Sequence, residues 1–277
     1  MKIVCYRAAG LMHLGVLADD RVRALSGPLS NSCEQLAALA RAHDGGLTPQ
    51  GPSRPLAEIE LLAPVPRPGK VICVGLNYRD HAAESGMPVP ASPIFFAKFS
   101  SCVIGHGAPV PLPPGSAQVD YEAEMAIVIG ARAHRVAEAD ARRHVLGYAC
   151  FNDVSARDFQ FADGQWIRGK ACEGFAPLGP FIATKEEIPD PQALRIGIRV
   201  NGRTLQDSST SQLVFGVDAL VSFISRHVAL EPGDVIATGT PPGVGFARKP
   251  PIFLKPGDVM EVEITGLGVL RNSVVGS

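Results

Sequence analysis

The sequence predicts a mainly β, α+β fold in which many short strands are joined by tight turns and helices are few. Three observations carry this. Glycine (29) and proline (24) together make 53 of 277 residues, about 19% against roughly 12% ordinarily, and both disfavour helix interiors. Hydrophobic residues reach 46% while charged residues are 19%, so the chain can bury a large core and is not disordered. From Lys70 onward, apolar runs of strand length bounded by turn residues outnumber runs at helical spacing. The length suits a small domain plus a large one, and the composition places the boundary near residue 65, giving units 1–65 and 66–277.

The elements follow in chain order. Lys2–Arg7, Leu14–Ala18 and Val22–Leu25 are short strands. Ser32-x-x-Gln35 has the form of a capping box, followed by a helical stripe at Leu36, Leu39 and Ala40 that Gly45-Gly46 would end. Residues 47–69 are proline-rich and read as a connecting arm. Strands are expected at Val71–Gly75, Ile94–Lys98, Val119–Ile129, Ile196–Val200, Val235–Thr238 and Met260–Thr265, the last two preceded by Pro-Gly-Asp turns. Two helices are expected, Ala139–Leu146 stopped by Gly147, and Asp218–Val228.

Charge and cysteine usage narrow the function. With 26 basic and 27 acidic residues, the chain lacks the basic excess that phosphate backbones require, so nucleic acid is not an expected partner. No run nears the ~18 apolar residues of a membrane span. Arg7 and His13 interrupt the first twenty residues, unlike a signal peptide. The six cysteines (Cys5, Cys33, Cys73, Cys102, Cys150 and Cys172) form no CxxC pair and read as buried thiols of a cytoplasmic protein rather than zinc ligands.

The chemistry-bearing segments are few. In a strand, Glu122 and Glu124 share a face, with Asp120 beside them. Two carboxylates at the buried end of a strand repel unless a cation lies between them, and oxygen-only ligands favour Mg²⁺, Mn²⁺ or Ca²⁺. A solvated strand face is the plainer alternative. Glu261 and Glu263 show the same spacing on an amphipathic strand and serve as a control. Asp153, in Asn152-Asp153, is a candidate third ligand or an ordinary turn residue. On a short helix over 79–85, His81 and Glu84 would stand at i and i+3 and could form a general base, or merely a surface pair. Gly86 and Pro88 would end that helix, as on a lid. The loop 238–245, rich in Gly and Pro around Thr240, offers backbone amides to a carboxylate or is a rigid turn. Gly164 to Lys170 has the start of a P-loop, but Ala171 stands where Ser or Thr is required and no helix can follow. No GxSxG, HExxH or GxGxxG signature is present.

Taken together the segments resemble the fumarylacetoacetate hydrolase family. The resemblance is carried by Gly75-Leu76-Asn77-Tyr78 with His81 and Glu84, Asp120-Tyr121-Glu122-Ala123-Glu124, Asn152-Asp153-Val154-Ser155-Ala156-Arg157-Asp158, Gln165-Trp166-x-Arg168-Gly169-Lys170, Phe175 to Pro180, residues 233–245, and the tail Phe253 to Asn272. These fall in family order over about residues 70–275. Residues 1–65 look like the smaller N-terminal domain of many bacterial members. One departure is Ala171-Cys172-Glu173, where members often read Ser-Phe-Asp.

The resemblance implies a mixed β-sandwich roll, usually a homodimer. It also implies Glu122, Glu124 and Asp153 as Mg²⁺ or Mn²⁺ ligands, and His81 with Glu84 as a water-activating dyad. Lys170 would stabilise developing negative charge, while Arg157, Gln160, Gly239 and Thr240 would hold substrate oxygens. The activity it favours is cleavage of a C–C bond in a 1,3-diketo acid of the acylpyruvate or fumarylpyruvate type, with an enolate leaving group. The alternative is an oxaloacetate-type decarboxylase or a dienoate isomerase/decarboxylase on the same site.

Overall fold

The computed structural model describes residues 1–276, apart from the side chain of Cys33. Its largest sheet is mixed. Along its main path lie Gln50–Pro55, Arg21–Ala24, Leu11–Ala18, Lys2–Ala8, Ala176–Thr184, Val145–Asn152, Ala123–Ile129, Val235–Ala237, Val71–Gly75 and Ile94–Lys98. Neighbours are antiparallel except Val235–Ala237 beside Val71–Gly75. A five-stranded sheet, ordered Arg203–Ser209, Arg195–Val200, Val259–Ile264, Gly268–Val275 and Val110–Pro111, packs on the central strands. Strands predominate and helices are short, as a mainly β, α+β class requires.

The central strands Ala123–Ile129 and Val145–Asn152 are buried along their whole length. Covered on both faces, they read as continuous apolar runs with little alternation. One core cluster joins Met125, Ile127, Tyr148 and Cys150 to Ile196, Val262 and Leu270 of the smaller sheet. A second, on the opposite face, joins Ala126, Val128 and Phe151 to Ile3, Cys5, Leu14 and Leu39 of the N-terminal strands and helix.

Four local expectations change. The segment 119–129 is not one strand: Val119–Asp120 pairs with Ser155–Ala156, and the main strand restarts at Ala123. Side chains replace the ladder at the break, where Asn152 Oδ1 takes the Glu122 amide (3.0 Å) and Gln206 Oε1 the Ala123 amide (2.8 Å). The helix expected over 139–146 ends earlier, as one turn at Glu138–Ala141 and a 3₁₀ turn to His144, because Val145 already belongs to the buried strand. The first helix, Ser32–His43, is capped by Asn31, which accepts from the Glu34 amide, while Gln35 turns inward to the Pro64 carbonyl. The proline-rich stretch 47–69 contains two strands, Gln50–Pro55 and Glu60–Leu61, that extend the sheet.

Cys5, Cys73, Cys102 and Cys150 are buried and free, Cys172 is half-buried, and the Cys33 side chain lies outside the described residues. Among the described residues no helix is long and apolar enough to cross a membrane.

Candidate active site and metal centre

Two neighbouring strands bring three carboxylates to one cavity of about 510 Å³. From the central strand come Glu122, in the break, and Glu124. Asp153 follows the end of the neighbouring strand, its amide donating to the Glu122 carbonyl (2.9 Å). All three are buried, and one carboxylate oxygen from each lies within 4.8 Å of the others. The alternation reading placed Glu122 and Glu124 on one strand face; they meet instead because the strand breaks between Asp120 and Ala123.

Three cations face the triad, Lys170, Arg157 and Lys98. Lys170 Nζ lies 2.8 Å from both Glu122 Oε2 and Asp153 Oδ2. Arg157 is 2.6 Å from Glu122 Oε1 and also clamps Asp120, with Nε 2.9 Å from Oδ2. These contacts split the two glutamates electrostatically. Burial pushes Glu122 up, but Lys170 and Arg157 outweigh it and hold the carboxyl down to about 2. Burial, reinforced by the Asp153 and Glu122 charges, pushes Glu124 well above the carboxylate range. Lys170 is itself desolvated, yet Asp153 and Glu122 raise its proton affinity, so it stays ammonium.

The donor set fits a hard divalent cation. It is all oxygen, two glutamates and an aspartate. Asp153 Oδ1 is buried without a hydrogen bond, although Lys98 Nζ lies 2.7 Å away, because the ammonium directs its protons to the Val154 (2.9 Å), Phe175 (2.8 Å) and Lys170 carbonyls. A lone pair is therefore free for a cation. The control pair contrasts: Glu261 and Glu263 are partly exposed and paired with Arg199 at 3.3 and 2.5 Å. Their strand is the central one of the smaller sheet.

The dyad also forms. Helix Arg79–Glu84 follows the strand Val71–Gly75, with His81 Nδ1 3.1 Å from Glu84 Oε2. With Nδ1 turned to a carboxylate, Nε2 is the nitrogen left for proton transfer, and His81 lines the cavity. Glu84 accepts from the Gly243 amide at 2.9 and 3.1 Å, which ties the helix to the Gly/Pro loop. Asp80 accepts from Ser208 (2.5 Å) and holds its other side.

That loop spends its donors inside the protein. The Gly239 amide donates to Glu124 Oε2 at 2.8 Å. A Cβ at Gly239, where φ is +98°, would lie 2.8 Å from Asn77 Cβ, so glycine permits this approach. The Thr240 hydroxyl donates to the Ala123 carbonyl (3.0 Å) and accepts from Gln206. The loop amides expected to hold a substrate carboxylate thus orient the buried Glu124 and the exposed Glu84, since carboxylates of the chain itself reach them first. Thr240, Arg157 and Gln160 line the cavity, with Gln160 Oε1 accepting from Arg157 (3.0 Å). Ala171, Cys172 and Glu173 fall outside the lining.

Sequence reasoning missed Lys98, and it missed the ties made by Asp120, Asn152 and Gln206. Each supports the site through partners distant in sequence. The one local signal was a lysine ending the apolar strand Ile94–Lys98.

With the fold and the acidic site in place, comparison with known proteins assigns the class. Residues 70–275 match the model described as "Fumarylacetoacetate (FAA) hydrolase C-terminal", and residues 1–64 match "Rv2993c-like, N-terminal". The chain belongs to the fumarylacetoacetate hydrolase family, a family of enzymes. It is 49% identical over 231 residues to mitochondrial oxaloacetate tautomerase FAHD2A of Bos taurus, covering 83% of this chain and 74% of that protein. Among solved structures it is similar to 2-hydroxyhepta-2,4-diene-1,7-dioate isomerase from Mycobacterium marinum (35% identity, TM-score 0.84, 100% and 99% of the two chains). It is also similar to fumarylacetoacetate hydrolase from psychrophilic Exiguobacterium antarcticum (36% identity, TM-score 0.86, both chains covered fully).

Proposed function

We propose that the chain interconverts the oxo and enol forms of a 2-oxo acid related to oxaloacetate, with Mg²⁺ or Mn²⁺ held by Glu122, Glu124 and Asp153. The observation that carries this is the buried carboxylate triad sharing one cavity with the His81–Glu84 pair. Such a cation polarises the oxo-carboxylate end of the substrate when bound.

The residues of the chain supply the rest. Isomerisation needs a group that takes a proton from C3 and returns it to carbon or oxygen. His81 Nε2, with Nδ1 fixed by Glu84, suits that task. Negative charge grows on the 2-oxygen as the proton leaves, and the Lys170 ammonium stands over the same carboxylates to neutralise it. Hydrolysis of a C–C bond, favoured on sequence alone, would use the same dyad to activate water. Isomerisation is placed first because a relative at 49% identity is named an oxaloacetate tautomerase and a structural neighbour an isomerase.

The test follows enol oxaloacetate by ultraviolet absorbance while pyruvate is assayed in parallel. Conversion is expected to require Mg²⁺ or Mn²⁺, to stop with a chelator, and to fall by about 10²-fold or more in His81→Ala. Pyruvate forming as fast as enol is lost, or a fully active His81→Ala protein, would overturn the reading.

A further inference from the structure

The floor and the rim of the cavity differ in chemistry. At the floor, Glu122, Glu124, Asp153 and Lys170 are buried and charged. At the rim, Met87 (55% exposed), Ile94 (46%), Phe161 (58%) and Phe246 (37%) are open to solvent. Eight large apolar side chains are exposed among the described residues, and these four line this one cavity. Scattered exposed apolar residues need no explanation, whereas a cluster at a cavity mouth marks a binding surface.

The aromatic rings are arranged in pairs. Phe161 and Phe246 have centroids 6.0 Å apart, and Phe96 meets Trp166 edge-on at 5.4 Å. Each pair adjoins one cation of the floor, Arg157 lying 4.5 Å from the Phe246 centroid and Lys170 Nζ 5.1 Å from that of Phe96. The rings thus form walls rising directly from the charged floor.

Those walls hold no free charge for a second carboxylate. Arg157 and Lys170 are the lysine and arginine of the lining, and both are paired with Asp120, Glu122 or Asp153. A carboxylate at the far end of a bound oxo acid would give up water against Met87, Ile94 and Phe161 without gaining an unpaired cation, the neutral Ser85 and Gln160 side chains being weaker partners for it. An apolar group there would be buried favourably. The volume of about 510 Å³ also lies within the ~300–1,000 Å³ range of sites that enclose drug-sized ligands, beyond the needs of a four-carbon diacid.

We propose that the preferred substrate is a 2-oxo acid with a single carboxylate and an apolar, aryl-type substituent on C3. Its oxo-carboxylate end meets the acidic floor, and its substituent lies between the Phe161–Phe246 and Phe96–Trp166 pairs. The reaction is balanced within the substrate: the C3–H bond breaks, an O–H bond forms on the 2-oxygen, and the reverse step restores both. This rests on the oxo–enol reading above and names the substrate of that site.

The experiment compares the Mg²⁺-loaded protein on phenylpyruvate and on oxaloacetate, each followed by the loss of its enol absorbance. The expected result is a kcat/KM at least about tenfold higher for phenylpyruvate, the scale on which an apolar pocket discriminates. Phe161→Ala is expected to shrink that ratio severalfold, chiefly through KM, while Phe161→Leu retains most of it. Ile94→Arg, which sets a cation on the rim, is expected to move the preference toward oxaloacetate. Both positions are exposed, so unchanged circular dichroism and melting temperature will separate specificity from folding. Oxaloacetate turned over as well as phenylpyruvate, or a ratio indifferent to Phe161→Ala and Ile94→Arg, overturns the aryl assignment alone. Failure on both acids overturns it together with the oxo–enol reading.

Discussion

Glu122 and Glu124 stand two residues apart and hold protons with opposite strength. The depressed Glu122, at about 2 against an ordinary 4.5, contributes stability that is complete above pH 4.5 and is lost as pH falls toward 2. The raised Glu124 behaves in the opposite sense. The folded state binds its proton more tightly than the unfolded chain, so the metal-free fold loses stability as pH climbs above 4.5 toward the raised value. A divalent cation displaces that proton and removes the penalty. Metal binding is therefore expected to release a proton, and the metal-induced gain in melting temperature to grow with pH. Calorimetric titration in two buffers of different ionisation enthalpy measures the first, and melts across pH 5–8 the second. Identical heats in both buffers with a pH-independent gain would show that Glu124 is already ionised. At this scale the carboxylate pair, Asp153 and the His81–Glu84 spacing were legible, because each shows in a window of a few residues. Lys98 was not, since its acceptors lie 56 to 77 residues further along the chain.

Elements were legible where an apolar run of strand length or a helical stripe shows in the sequence, as in Val71–Gly75 and Val217–His227. They were misread where tertiary partners decide. The break at Tyr121-Glu122 depends on Asn152 and Gln206, and nothing local to 119–129 announces it. The short helices Arg157–Gln160 and Ile167–Lys170 pose the same problem, being too brief for periodicity. What holds them together is Gly169, which the sequence shows only as one more glycine. A Cβ there would lie 2.4 Å from the Ala156 carbonyl oxygen and 2.5 Å from the Gln160 amide nitrogen. Both are backbone atoms, which cannot swing aside as a side chain can. Gly169→Ala is expected to cost about 1–3 kcal/mol, the scale of core overpacking. It should also draw Lys170 away from Glu122 and Asp153, lowering kcat more than it raises KM. Gly27→Ala, with no atom within 4 Å of its Cβ, is the matched control and should be near neutral. Urea midpoints and steady-state kinetics on the two variants check this, and a Gly169→Ala protein indistinguishable from the control would refute it.

At the scale of the whole molecule the sequence suggests two units, 1–65 and 66–277, and does not announce that one sheet runs through both stretches. That continuity depends on Lys2 pairing with Ala183 and Ile3 with Ile182, a register some 180 residues long that no local pattern encodes. Residues 1–64 are therefore part of the scaffold of the site. Lys2–Ala8 covers one edge of Ala176–Thr184, whose other edge pairs with Val145–Asn152, the strand that delivers Asp153. Ile3, Cys5, Leu14 and Leu39 bury the face that carries Ala126, Val128 and Phe151, and Gln35 is hydrogen-bonded to the Pro64 carbonyl at 2.8 Å. Removing 1–64 would leave an apolar sheet face in water and an unpaired strand edge, which recruits other chains. A protein beginning at residue 65 is expected to be insoluble. If recovered with a solubilising partner, it should melt well below the full chain and bind Mn²⁺ more weakly, because the strand that positions Asp153 has lost its support. Sedimentation, thermal melts and Mn²⁺ titration of the two lengths decide the matter. A soluble truncated chain that keeps the melting temperature and the Mn²⁺ affinity of the full protein would show that the large unit stands alone and that the shared core is incidental to the site.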